Sequence, residues 1–314
     1  MACPPFPISR CPSPYGGHPA PAARSEPHAP TDTAGGCLGT AISALAPITD
    51  TPRLEAEVLL AEVLGVSRTA LLAHPEQRVT TSARARYESL VRRRAAACPL
   101  PYLLGRAEFY GLDFEVSPAV LIPRPETETL VELALARRPR RVLDVGTGCG
   151  CIAVTLAVHL PAARVYATDI SLPALEVAHR NAQRHGVGAR VRCVAGDLLT
   201  MLARAPALAG AQCLDLVVAN PPYVADAEWE SLPRSVREYE PSVALAGGAD
   251  GLAVVRRLLA QAPGVLRPGG VLLVELGASH AEAALGLAHA ALPLASISLY
   301  RDLAGRQRVL EVQI

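Results

Sequence analysis

Residues 141–150 read Arg-Val-Leu-Asp-Val-Gly-Thr-Gly-Cys-Gly, and Cys-Ile-Ala-Val-Thr-Leu-Ala-Val follows without a break. A short apolar strand ends at Val145. A turn over Gly146, Thr147, Gly148, Cys149 and Gly150 comes next, then a helix. Open α/β sheets take nucleotides at such turns, because glycine lets backbone approach a ligand and lets helix pack on strand. The spacing is G-x-G-x-G, not the G-x-G-x-x-G of dinucleotide binders. All 30 cations of the chain are arginine, so a phosphate-loop lysine and a lysine Schiff base are both excluded. Taken alone, the turn also fits a tight corner that only packs.

The pattern on either side of this turn alternates. The spacing of apolar residues predicts helix 126–136, strand 140–145, helix 150–159, strand 164–169 and helix 172–185. Strands 190–195 and 214–219, helix 250–262, strand 270–276, helix 280–291 and strands 295–301 and 307–313 complete it. Strands that alternate with helices predict a parallel sheet covered on both faces. The last two strands have no helix between them and predict a hairpin closing one edge.

Two further strand ends carry acids. Asp169 ends the second strand, nineteen residues after Gly150, where a carboxylate can accept from both ribose hydroxyls. The third strand ends in Gly196-Asp197-Leu198, which sets a carboxylate and an apolar side chain beside an adenine ring. An adenosine site with no phosphate-binding lysine points to S-adenosylmethionine. Asp144 either holds the methionine end or shapes the loop. The fold class expected is α/β: a Rossmann-like, class I S-adenosylmethionine-dependent methyltransferase domain preceded by a small all-α domain.

The fourth strand runs into Asn220-Pro221-Pro222-Tyr223, the most specific feature of the chain. Two prolines fix the backbone and remove donors. The Asn220 side-chain oxygen and the Pro221 carbonyl can then accept both hydrogens of a planar –NH₂ group, with Tyr223 stacked on its plane. Accepting those hydrogens returns density to a conjugated nitrogen and aims its lone pair at the methyl, so no strong base is needed. The expected catalytic and substrate-binding set is Asn220, Pro221, Pro222 and Tyr223. The expected cofactor set is Gly146, Thr147, Gly148, Cys149, Gly150, Asp169, Asp197, Leu198 and Asn220. No metal is expected, since the eight cysteines and eight histidines lack zinc spacing.

The rest of the chain bounds the partners. Residues 1–37 are read as a disordered Pro-rich tail, with nine prolines in the first 36 positions. Residues 38–106 read as a helical substrate-recognition domain. In it Thr51-Pro52 starts a helix, Leu54, Val58, Leu59, Val63 and Leu64 recur at helical spacing, and Gly65 stops it. Further helices fall near 68–74 and 82–97. Residues 107–125 form a hairpin turning near Gly111 and a stiff linker, and 126–314 form the methyltransferase domain. Hydrophobic residues make up 50% and charged residues 19%, with a formal charge of +1. That balance argues against stable nucleic-acid binding. No apolar run is long enough for a membrane span, and the cysteines read as the reduced thiols of a cytoplasmic protein. The arginine runs 92–94 and 137–141 read as solvated faces.

Beyond the Asn-Pro-Pro-Tyr turn, several stretches resemble the HemK/PrmC family of protein-(glutamine-N5) methyltransferases. They are Glu108-Phe109-Tyr110-Gly111, Leu121-Ile122-Pro123-Arg124-Pro125-Glu126-Thr127-Glu128, Asp144 to Gly150, Tyr239-Glu240-Pro241, and Pro268-Gly269-Gly270. The resemblance covers about 38–314. Cys149 stands where Thr or Ser is commoner, and Leu198 where some members carry an aromatic residue. The resemblance implies a substrate, the glutamine of the Gly-Gly-Gln motif in class I peptide chain release factors, gripped by the helical domain. The competing readings are glutamine methylation of a ribosomal protein, exocyclic-amine methylation of a nucleic-acid base, and a non-catalytic cofactor-binding module.

Overall fold

The computed structural model describes residues 32–200 and 213–314. Most of the tail, residues 1–31, lies outside them. The chain folds earlier than expected, however. Helix α1 spans Ala34–Leu45, capped by the Thr33 side chain, and Ala34 and Cys37 are buried. It packs with α2 (Pro52–Leu64), α3 (Arg68–Ala73), α4 (Thr81–Ala95) and α5 (Leu100–Leu104). Their shared core is Leu45, Leu59, Leu60, Leu71, Tyr87 and Val91, with the Tyr87 hydroxyl donating to the Ala56 carbonyl at 3.1 Å.

Two local expectations in this domain are corrected. The Thr51 side chain does not cap α2; Pro52 at the first helical position and left-handed Gly65 still bound the helix. The buried face runs through Ala56, Leu59, Leu60 and Val63, while Leu54 is exposed. The arginine run 92–94 is not one solvated face either. Arg94 is buried and meets Glu55 of α2 through two bonds, Nε to Oε2 at 2.6 Å and Nη2 to Oε1 at 3.2 Å.

A tight hairpin follows, β1 (Arg106–Phe109) and β2 (Leu112–Glu115), turning through Tyr110 and Gly111, both with positive φ. Helix α6 (Thr127–Ala136) then leads to β3 (Arg141–Val145), α7 (Cys151–His159), β4 (Arg164–Asp169), α8 (Leu172–Arg184), β5 (Val191–Ala195) and β6 (Leu214–Ala219). A short parallel pair, β7 (Val224–Ala225) and β8 (Ala246–Gly248), brackets the one-turn helix α9 (Arg234–Arg237). Helix α10 (Ala253–Gln261), β9 (Leu266–Glu275), α11 (Ala281–Ala291), β10 (Ser296–Arg301) and β11 (Gln307–Gln313) complete the order. Strand β9 starts four residues earlier than the sequence suggested. Its register with β6 shifts between Leu214 and Leu216, so the Pro268-Gly269-Gly270 break falls inside the strand.

Seven strands form one sheet in the order β10-β11-β9-β6-β3-β4-β5. The five central strands are parallel, and β11 pairs antiparallel with both β9 and β10. The expected closing hairpin is therefore present. Alternate residues of β3 feed opposite cores: Leu143 and Val145 pack with α10 and α11, Val142 with α6, α7 and α8. That is why these strands read as mostly apolar runs. The chain leaves β3 toward β4 on one side and returns to β6 on the other. This switch point opens a crevice at the carboxyl ends of β3 and β6.

Removing one member of a buried ion pair strands the other charge. Arg94→Ala is therefore expected to destabilise the helical domain by about 3–5 kcal/mol, measured by urea unfolding. A change within experimental error would show that the Glu55 pair contributes nothing.

Candidate active site

The glycine turn is built around a carboxylate that no solvent reaches. Asp144, the second-last residue of β3, is fully buried. Its Oδ2 accepts from the Thr147 hydroxyl at 2.6 Å and from the Ala153 amide at 3.1 Å, so it ties the turn to the first turn of α7. Burial pushes its carboxyl up to about 7, against the pull of those two bonds, and the nearby Asp169 charge adds to the rise. Of the two roles open to Asp144, its hydrogen bonds fit the shaping of the loop.

The turn then divides into two kinds of residue. Gly146 and Gly148 line a cavity of about 280 Å³ at the switch point. Both have positive φ, and a side chain added at either would meet nothing within 4 Å. Gly150 has positive φ too, but a Cβ there would lie 3.1 Å from the Ala178 Cβ of α8. Thr147 and Cys149 are buried away from the cavity. The Cys149 side chain packs with Val120, Ile122, Ala174 and Val177, and its carbonyl accepts from Asn181 Nδ2 at 2.9 Å. Thr147, Cys149 and Gly150 thus brace the turn, and Gly146 and Gly148 face the space it encloses.

The acids stand at the cavity wall. Asp169 Oδ2 accepts from the Gly148 amide and Oδ1 from the Ser171 amide, each at 2.9 Å. Each carboxylate oxygen keeps a second lone pair, the acceptor capacity a ribose diol needs. Asp197 and Leu198 also line the cavity. Asp197 Oδ2 is held by Arg257 of α10 at 2.6 Å, which leaves Oδ1 for an exocyclic amine. Leu198 sits at φ +53°, a left-handed backbone that costs roughly 1–2 kcal/mol for a branched residue. The donor and acceptor set fits an adenosine without phosphates.

Asn220 and Pro222 line the same cavity, while Pro221 is buried. Asn220 Nδ2 donates to the Thr127 hydroxyl at the start of α6, at 3.1 Å. With its nitrogen so committed, Oδ1 is the end of the carboxamide left to accept. Tyr223 is half-buried outside the cavity lining, its ring 3.3 Å from where a Cβ of Gly277 would stand.

Sequence reasoning missed several walls of this cavity. Ala119, Val120 and Leu121 come from the linker, Pro241, Val243 and Ala244 from the segment before β8, and Arg257 from α10. One buried carboxylate joins the first two. Glu240 accepts from the Ile122 amide at 3.2 Å and from the Arg124 guanidinium, so Arg124 is a pin. Tyr239 next to it donates to the Ala96 carbonyl of the helical domain at 2.9 Å. The Leu121–Glu128 and Tyr239-Glu240-Pro241 stretches gave the signal for this region, though not that Glu240 joins them.

Comparison with known proteins places this architecture. The PrmC N-terminal domain model matches residues 37–105, and the methyltransferase small domain model matches 125–233. The release factor glutamine methyltransferase of Moorella thermoacetica is 47% identical over 276 residues, spanning 86% of this chain and 95% of the relative. That of Bordetella pertussis is 47% identical over 262 residues, 82% of this chain and 93% of the relative. Among solved structures, the hMettl16 catalytic domain in complex with MAT2A 3'UTR hairpin 1 superposes with a TM-score of 0.51. It is 18% identical over 74% of this chain and 80% of that one, a likeness of fold.

The two kinds of glycine are expected to separate on substitution. Gly148→Ala should weaken S-adenosylmethionine binding at least about tenfold by calorimetry. Its unfolding free energy should fall only by the left-handed strain of about 1–2 kcal/mol. Gly150→Ala carries that strain plus the Ala178 clash and should lose clearly more stability. Equal stability losses in the two variants would contradict the division. A cavity at the β3–β6 switch point, a phosphate-free set of acceptors and relatives matched over nearly their whole length agree: the chain belongs to the release factor glutamine methyltransferase family.

Proposed function

We propose that this chain transfers a methyl group from S-adenosylmethionine to the side-chain nitrogen, N5, of the glutamine in the Gly-Gly-Gln motif of class I peptide chain release factors. The observation that carries the reading is the Asn220 carboxamide at the cavity edge with Nδ2 given to Thr127. Its Oδ1 and the Pro221 carbonyl are two acceptors for the two hydrogens of a primary amide. Bound S-adenosylmethionine supplies an electrophilic methyl on its sulfonium. Gly146 and Gly148 leave room for its backbone-like methionine end, Asp169 accepts from the ribose, and Asp197 with Leu198 takes the adenine.

Asn220 and Pro221 hold the amide plane and return density to its nitrogen as they accept its hydrogens. Pro222 stiffens the turn, and Tyr223 packs behind the amide plane. Once the nitrogen is methylated its extra proton is strongly acidic and leaves to water. Thr147, Cys149 and Gly150 support the cofactor through the shape of the turn. The helical domain of residues 38–106 grips the release factor, and the linker of 107–125 couples that grip to the site through Glu240.

The partner is a release factor met in the cytoplasm, without stable binding to nucleic acid. Free cysteines at six described positions and a formal charge of +1 support that setting. No helix among the described residues is long and apolar enough to cross a membrane.

Asn220→Ala should lower kcat on unmethylated release factor by about 100-fold, with S-adenosylmethionine affinity changed by less than about threefold. Near-full turnover in that variant would refute the amide-orienting role. Turnover on DNA or RNA that falls steeply with salt, with none on release factor, would favour a base as substrate.

A further inference from the structure

What holds the Asn220 carboxamide lies behind it. The Thr127 hydroxyl that receives its Nδ2 is 1% exposed. Beyond Thr127 is Glu275, the last residue of β9, equally buried, with Oε2 lacking any hydrogen-bond partner. Asn220 and Glu275 follow the paired residues Ala219 and Val274 of neighbouring strands, α6 packs across both strands, and the Thr127 and Asn220 side chains each pull the Glu275 carboxyl toward its ionised form. A hydroxyl that accepts from an amide still has its own hydrogen to give, and the ionised Glu275 is the acceptor facing it. In that arrangement the donors run one way, from Asn220, directly and through Thr127, to Glu275.

We propose that Thr127 and Glu275 are a positioning pair that sets which end of the Asn220 carboxamide faces the substrate. The inference rests on the reading of Asn220 as the amide-orienting residue. The two ends of a carboxamide have nearly the same shape, so packing alone does not choose between them. The wrong end would set an –NH₂ group against the –NH₂ of the substrate and leave donors facing donors. A fixed direction of donation behind Asn220 removes that state.

The pair also gives the site a pH dependence. Glu275 is faced by Arg308 of β11, by Glu126 and Thr127 at the start of α6, and by Asn220 and Tyr223 after β6. Arg124 of the linker acts on Tyr223, and His280 lies against Gly277 beside the same ring. Burial outweighs the pull of Thr127, Arg308 and Asn220 and lifts the carboxyl to about 7, with Glu126 adding to the rise. Above that pH Glu275 is ionised and accepts. Below it the carboxyl carries a hydrogen of its own, donates to Thr127, reverses the chain and releases Asn220 to turn. Turnover is therefore full above about pH 7 and falls as the pH drops through it.

The test is steady-state kinetics on unmethylated release factor from about pH 6 to 9, with cofactor affinity and melting temperature measured alongside. Thr127→Val should lower kcat about 10- to 100-fold while KM and cofactor affinity stay within about twofold, and Thr127→Ser should restore kcat to within about threefold. Glu275→Gln should flatten the acid limb of the kcat profile. If Thr127→Val fails to fold, the serine variant and the Glu275→Gln profile decide the matter. Full kcat in Thr127→Val alongside a crippled Asn220→Ala would overturn the pair, as would an acid limb that persists in Glu275→Gln. Full turnover in Asn220→Ala would overturn the reading beneath the pair, and the pair with it.

Discussion

The carboxylate of Asp144 is the point on which the glycine turn of this enzyme depends. It sits fully buried at the end of the first parallel strand, and two donors, Thr147 and Ala153, converge on one of its oxygens. Those bonds fold the chain from strand to helix within a few residues. Only in that geometry do Gly146 and Gly148 turn bare backbone toward the cavity while Gly150 lets α7 close on α8. Burying a carboxylate is unfavourable, and its raised pKa is the trace of that cost.

The wall made by the linker and the segment before β8 depends on a different carboxylate, supplied from far along the chain. Glu240 draws the linker onto the segment that follows the Asn-Pro-Pro-Tyr turn, and Tyr239 extends the connection to the helical domain. The linker ends where α6 begins, so the same contact places Thr127 behind Asn220. A domain that ends before the linker is thereby coupled to the orientation of one side-chain amide. The helical domain, the linker and the Asn220 side chain are joined by one continuous set of contacts.

Much of this was legible in the sequence, for identifiable reasons. The inner strands of the sheet are buried on both faces and show as mostly apolar runs, and turns punctuate them, so β3, β4, β5 and β6 fall within a residue of expectation. Asn220, Asp169 and Asp197 announced themselves by standing at strand ends. What the sequence hid was partnership. Arg257 looks like any helical arginine until Asp197 is opposite it, and Arg94 sits in a run that reads as solvated until Glu55 meets it. Glu275 is a lone acid in an apolar strand, with nothing nearby in sequence to mark Thr127 or Arg308 as its neighbours. Thr147 and Cys149 belong to the turn by sequence, yet only the packing shows that they face inward.

The central claim is that the cavity at the switch point of the sheet presents a glutamine amide to the cofactor methyl. The most direct measurement is peptide mass spectrometry of unmethylated class I release factor after incubation with the purified enzyme and isotope-labelled S-adenosylmethionine. The account predicts a single labelled methyl on the side-chain nitrogen of the Gly-Gly-Gln glutamine. Label on any other residue, or none at all from enzyme that binds the cofactor, would contradict it.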